Sequence, residues 1–294
     1  MLPWPETVER VVICIGTTKA ATTLLYRLLE ADERVHVSHT KEVHYWDLVR
    51  GSGVRSIWVG RARKTAMKQV AALLLRPVRR TSVTAFDLRQ SLRLWNLRQR
   101  DENSVDIYAA YLSAGHAGQA VIFESTPDYE ACTPDLLARM AAVHSDTRLV
   151  LMMRDPVDRL WSDVRHRFRK ELKEGTVTRN QVLEAFRNSF IDTSSNGYRK
   201  SNYAAILGRC DAAGVTDQLT CIFYETLTTD TELAQLEHAF GFPLEINLSK
   251  RVNVGVDVAA TDALVAEATK ALSPVYEAVR KRFGDRVPAS WRVP

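Results

Sequence analysis

The run Val11-Val12-Ile13-Cys14-Ile15 is apolar at every position, rich in β-branched residues, too short for a helix, and stops at Gly16. Such a run reads as a strand buried on both faces. After a turn of small residues, Leu24, Leu25, Leu28 and Leu29 recur at helical spacing. The same handover recurs. Apolar runs at 120–123, 148–153 and 219–224 are each followed by polar or proline punctuation, then by helical patterns over 134–143, 156–170 and 227–240. A short strand is expected at 35–38, and the pattern over 262–283 predicts one long helix packed outside the sheet. Strands alternating with helices predict an α/β fold, a P-loop-like three-layer α/β/α architecture with a central, mostly parallel sheet.

The 294 residues, 46% hydrophobic and 26% charged, exclude collagen-like, disordered and coiled-coil chains. No apolar run approaches the roughly 18–20 residues of a membrane span. Glu6 and Glu9 precede the first apolar run, which lacks the basic flank and cleavage site of a secretory signal, so a cytoplasmic protein is expected. Cys14, Cys132, Cys210 and Cys221 form no Cys-x-x-Cys pair, so neither a disulfide framework nor a zinc site is expected.

The net charge of +5 conceals an asymmetry: residues 50–100 hold thirteen Lys and Arg against Asp87 alone, leaving the rest of the chain net acidic. This basic stretch interrupts the alternation of strands and helices. It reads as a helical insertion at about 50–115 in a single domain spanning 1–294, with an amphipathic helix at 62–75 that puts Ala66, Val70, Leu73 and Leu74 on one side. A solvated basic face, an anionic acceptor or an anionic membrane surface with the protein peripheral to it would each account for the charge. Nucleic acid is the least favoured partner.

The turn Gly16-Thr17-Thr18-Lys19-Ala20-Ala21-Thr22-Thr23 lies where a buried strand hands over to a helix, so backbone N–H groups and the positive helix end would converge on an anion. Lys19 adds a mobile charge and Thr22 and Thr23 add hydroxyls. It is not a Walker A loop, because no Gly-Lys-Ser/Thr closes the turn.

With three further blocks this turn resembles the sulfotransferases that use 3'-phosphoadenosine-5'-phosphosulfate (PAPS), and more the branch of heparan sulfate O-sulfotransferases and bacterial relatives than the small-phenol branch. The further blocks are Lys41-Glu42-Val43-His44-Tyr45-Trp46, the segment 148–163 with Arg154-Asp155-Pro156, Arg159 and Ser162, and Phe123-Glu124-Ser125-Thr126-Pro127-Asp128-Tyr129. Weaker matches lie at 203–207, 223–227 and 250–255.

The resemblance implies transfer of a sulfuryl group from PAPS to a hydroxyl or amine of a carbohydrate, lipid-linked sugar or other small acceptor, releasing adenosine 3',5'-bisphosphate. It implies that Lys19 and the amides of Ala20, Ala21, Thr22 and Thr23 hold the 5'-phosphosulfate, and that Arg154 and Ser162 hold the 3'-phosphate. Glu42 would take the acceptor proton, with His44 orienting it or serving as the base itself. If the segment is extended, residues 42 and 44 face one side. Tyr203, Lys250, Arg251 and Gly255 would add cofactor contacts. No metal is implied, and His36, His39 and His44 lack convincing zinc spacing.

Two departures from the family pattern stand out. Ala20-Ala21 follows the loop lysine where the family has glycine, which would obstruct a positive φ, and Ser125 replaces the lysine of the glycosaminoglycan branch, so the acceptor need not be heparan sulfate. A P-loop kinase or NTPase, and an anionic-polymer or membrane binding module with a vestigial nucleotide site, stay open as alternatives.

Overall fold

The computed structural model describes residues 4–49, 55–75, 82–244 and 258–291. Five parallel strands form one sheet: β1 (Arg10–Gly16), β2 (Val35–Val37), β3 (Val121–Ser125), β4 (Thr147–Met153) and β5 (Leu219–Phe223), in the order β2-β3-β1-β4-β5. In chain order the helices are α1 (Thr22–Glu30), α2 (Arg55–Leu74), α3 (Ala85–Leu97), α4 (Val105–Leu112), α5 (Pro134–Ala141), α6 (Pro156–Arg167) and α7 (Arg169–Glu174). They continue as α8 (Arg179–Ile191), α9 (Asn196–Ser201), α10 (Tyr203–Ala212), α11 (Asp230–Phe240), α12 (Asp262–Ala271) and α13 (Ser273–Phe283).

Both sheet faces are covered, which is why the strands read as unbroken apolar runs. Successive strand residues point to opposite faces. Val11, Ile13 and Ile15 of β1 join a core with α5, α6, α8, α10 and α13, whereas Val12 and Cys14 join one with α1 and α11. On β4, Leu149, Leu151 and Met153 face the first layer, and Val150 and Met152 the second. A fully buried aliphatic side chain contributes about 1.5–3 kcal/mol. A one-residue slip would exchange the two sets, so this alternation fixes the register.

The predicted long carboxy-terminal helix is two. It breaks between Ala271 and Ser273 because Pro274, at the start of α13, has no N–H to extend the preceding helix. The helix expected at 62–75 starts earlier, at Arg55. It buries Ala62 and Ala66, while Leu74 is 76% exposed, so its packed side is made of small residues rather than the predicted leucines. Helices α3 and α4 fall within the helical stretch expected at about 50–115, whereas α8, α9 and α10 had no predicted counterpart. The basic stretch lies between sheet elements β2 and β3.

Strand order reverses across β1, whose neighbours β3 and β4 lie on opposite sides. Ligands of open α/β sheets bind beyond the carboxyl ends of the strands at such a switch point. Gly16 ends β1 there, and a Cβ on it would lie 2.5 Å from Glu130 Oε2 and 3.2 Å from the Pro127 carbonyl oxygen. The carbonyl is main chain and cannot swing aside, so Gly16→Ala is expected to lower the unfolding free energy by about 1–3 kcal/mol, read from urea denaturation midpoints.

Candidate active site

The loop from Gly16 to α1 is anchored at three points. Thr17 N–H and Oγ1 both donate to the Met152 carbonyl of β4, at 2.8 and 3.2 Å. Arg159, fully buried on α6, donates to the Thr18 carbonyl (3.2 Å), to Ser201 Oγ (2.7 Å) and to the Gly197 carbonyl (2.7 Å). Arg154, just past the end of β4, reaches the Lys19 carbonyl with Nη1 at 3.4 Å. Lys19 and Arg154 thus lie side by side, although 135 residues separate them in sequence.

The loop folds without the glycine its shape favours. Lys19 (φ 70°) and Ala21 (φ 64°) both lie in the left-handed region, at a cost of roughly 1–2 kcal/mol each. The alanine pair therefore does not prevent a positive φ. Ala21 is the N-cap of α1 and supplies no side-chain cap, and no acidic residue occupies the first turn. The opening N–H groups of α1 are left for an outside acceptor. Ala20 departs from expectation, since its N–H turns inward to the Thr17 carbonyl at 3.3 Å. Thr22 is buried and Thr23 half-buried at the head of α1.

Lys19 is half-buried, and burial holds its ammonium below the usual lysine range, with Asp163 and Glu42 opposing that shift. Burial, then the Lys19 charge, likewise lower His166. Arg159, Asp163 and His166 stand at intervals of three or four along α6, one helix face that also contains Ser162, half-buried. Arg154 Nε is buried with no hydrogen-bond partner, and its guanidinium lies 5.3 Å from the centre of the Tyr224 ring.

Tyr203 plays a different part from the one expected. It is fully buried, and its hydroxyl accepts from the Arg154 N–H (3.0 Å) and donates to the Arg154 carbonyl (2.7 Å). Its enclosed ring offers no open face for a cofactor contact, and its hydroxyl pins the Arg154 backbone instead. Lys250, Arg251 and Gly255 lie outside the described residues.

The Glu42 segment is a turn rather than the extended chain expected, with φ 65° at Glu42 and 51° at His44. It is tied to the sheet by Glu42 N–H on the Ser125 carbonyl (3.0 Å) and His44 N–H on Thr126 Oγ1 (3.4 Å). Arg98 of the basic stretch clamps it from the other side, donating to the carbonyls of Glu42 (2.8 Å), Val43 (2.9 Å) and Trp58 (3.2 Å). The turn still brings the two side chains together, with His44 Nε2 4.0 Å from Glu42 Oε2.

His44 is fully buried, stacks on Trp58 at 3.7 Å between ring centroids, and pairs through Nδ1 with Asp47 Oδ2 at 2.7 Å, leaving Nε2 without a hydrogen bond. Glu42 is 40% exposed and also pairs with Lys41 at 2.8 Å. Asp47, Arg98 and Trp58 escaped the sequence reading. Asp47 is three residues beyond His44, a spacing any turn can bring together, whereas Arg98 and Trp58 reach the turn only through tertiary packing.

Two carboxyls are enclosed beneath the site. Glu124, bonded by the hydroxyls of Thr126 and Tyr108, and Glu130, without a hydrogen-bond partner, are each pushed up by burial to about 8. Asp128 is ion-paired with Lys200. Among the described residues His44, Asp47 and Asp128 bring ligand-type atoms within 4.8 Å of one another, but Asp128 is held by Lys200 and Asp47 by His44.

With this geometry in hand, a protein-family model described as the sulfotransferase family matches residues 11–245, and the chain belongs to that family. Solved structures of similar fold include a sulfotransferase from Alicyclobacillus acidocaldarius, 19% identical, with 96% of this chain and 98% of that one covered and a TM-score of 0.56. Another is the sulfotransferase domain of the Synechococcus PCC 7002 olefin synthase, 15% identical, with the same coverage and a TM-score of 0.51. At these identities the likeness is one of fold. No curated protein matches the chain in sequence. Among the described residues no helix is long and apolar enough to cross a membrane.

Raised carboxyls set a pH dependence. Between 4.5, the ordinary value, and about 8, folded Glu124 and Glu130 keep protons that the unfolded chain releases. The native state then binds more protons, so stability is expected to fall as pH rises through that window. Urea titrations across it should show this slope in the native protein and a shallower one in Glu130→Gln.

Proposed function

We propose that the chain moves a sulfuryl group from PAPS to the hydroxyl or amine of an acceptor, with a carbohydrate or lipid-linked sugar as the favoured class. The observation that supports this most is the contact between the Arg154 guanidinium and the Lys19 main chain. It brings the α1 turn and the end of β4, the two segments read as anion-binding, next to each other. The fit is also chemical: uncapped N–H groups, a half-buried lysine and an arginine with an unused donor suit phosphate and sulfate oxygens.

PAPS, when bound, supplies the sulfuryl group, and adenosine 3',5'-bisphosphate leaves. Lys19 and the first N–H groups of α1 hold the 5' end and oppose negative charge building on the leaving phosphate oxygen. Arg154 and Ser162 hold the 3'-phosphate, and Arg159 keeps the Thr18 carbonyl turned away from the anion. Glu42, the exposed member of its turn, accepts the acceptor proton. His44, buried and oriented by Asp47, stands behind it and sets the position of its carboxylate. As in phosphoryl transfer, positioning carries most of the rate.

Calorimetry should detect adenosine 3',5'-bisphosphate binding, weakened about 10- to 150-fold in Arg154→Ala, the worth of a charge-assisted hydrogen bond of about 1.5–3 kcal/mol. Transfer of label from radiolabelled PAPS to a panel of glycans, lipids and phenols should be lost in Lys19→Ala and Glu42→Gln. Tight binding of ATP with Mg²⁺ but not of adenosine 3',5'-bisphosphate would reverse the assignment in favour of an NTPase.

A peripheral seat on an anionic membrane is a second reading, favoured by one face of α2. Exposed Lys64 and Lys68 lie beside Met67 and Leu74, themselves 46% and 76% exposed, and the helix has no acidic residue. Sedimentation with phosphatidylserine-rich but not phosphatidylcholine vesicles, lost in Lys64→Glu/Lys68→Glu, is the expected result.

A further inference from the structure

A cavity of about 220 Å³ opens beside Glu42, between its turn and the helices α2 and α3 of the basic stretch. Its wall combines Glu42 with Trp58, Arg61, Thr65, Ser91 and Arg98. Lys41, also at the wall, is held by the Glu42 carboxylate. The two guanidiniums have no such partner. Arg98 is 5% exposed, and its hydrogen bonds go to three main-chain carbonyls. Arg61 lies 4.7 Å from the centre of the Trp58 ring. Among the described residues neither forms an ion pair with a carboxylate. A carbonyl dipole satisfies a donor but does not neutralise the charge, so this wall carries a buried positive charge at Arg98 and a solvent-exposed one at Arg61.

From this we propose that the acceptor is itself an anion: a single-ring unit bearing a carboxylate, phosphate or sulfate that meets Arg61 and Arg98 while its hydroxyl faces Glu42. The inference rests on the reading of Glu42 as the group that takes the acceptor proton. Size supports one ring, because a dry cavity of about 150 Å³ already holds benzene. The hydroxyls of Thr65 and Ser91 suit a polar ring, and a longer acceptor would continue outside. The unit could be a free small acid or the end of an acidic glycan; both offer the same oxyanion.

Calorimetry on the full chain, with and without saturating adenosine 3',5'-bisphosphate, tests this with matched probes. These are 4-hydroxybenzoate against 4-hydroxybenzamide and glucuronate against glucose, with a tetrasaccharide ending in glucuronate as a further arm. The charged member of at least one pair is expected to bind about tenfold or more tightly. Preference for the tetrasaccharide over the monosaccharide identifies a glycan end, and the reverse a small acid. Arg61→Glu should erase the charge preference, and Arg63→Ala, on the same helix but outside the cavity, should keep it; Arg61 is chosen because Arg98 also clamps the Glu42 turn.

Adenosine 3',5'-bisphosphate affinity should be the same in all three proteins. Equal binding within every pair, binding of none of the probes, or a preference that survives Arg61→Glu overturns the proposal. Loss of nucleotide binding in the unaltered protein would instead overturn the donor assignment, and the two failures are read in separate titrations.

Discussion

The site depends on guanidinium groups that bind main-chain carbonyls rather than carboxylates. Arg159 does so in full burial, holding Thr18 and Gly197, and Arg154 does so at the cleft, holding Lys19. Removing such a charge from water is costly, and its hydrogen bonds offset that cost only in part. What remains is a fixed positive potential exactly where the uncapped end of α1 adds its own. Buried acids would cancel it if they were ionised. Burial pushes Glu130 and Glu124 up to about 8, which opposes their ionisation.

The same logic explains strain at two turns. Lys19, Ala21, Glu42 and His44 all have positive φ, a conformation an L residue holds only when its surroundings over-determine it. Around the first pair these surroundings are Thr17, Arg154 and Arg159. Around the second they are the Ser125 carbonyl, the Thr126 hydroxyl and Arg98. Backbone conformations set in advance hold Glu42 close enough to Lys19 for its carboxylate to oppose the lowering of the Lys19 ammonium by burial. The entropy of bringing them together is spent in folding rather than at each turnover.

The sheet was legible because burial on both faces makes each strand an apolar run, a signal confined to five or six adjacent residues. The handover from β1 through the turn to α1 was legible for a similar reason, since its three parts are contiguous. The partners of the Glu42 turn were not. Arg98 lies 55 residues from the Val43 carbonyl it binds, and nothing local distinguishes it from its basic neighbours. Helix α3, which positions it, carries a sequence-visible start, the reciprocal Thr84 and Asp87 capping box. Its polar, arginine-rich face obscured that start. The break at Pro274 was also visible, but the apolar period ran through it and dominated the reading.

Tertiary structure divides the charge of the basic stretch into parts with different work. Arg98 is internal and structural, and Arg55 caps the Arg100 carbonyl at 2.9 Å. Arg61 lies against Trp58 at the cavity, and Arg63, Lys64 and Lys68 face solvent. A uniformly solvated basic face would leave every one of these cations free, and would not give the Glu42 turn its two hydrogen bonds from Arg98. The basic stretch thus holds the Glu42 turn from the end of α3 and walls the cavity beside it from α2, so the shape of the cavity and the position of the turn depend on the same two helices.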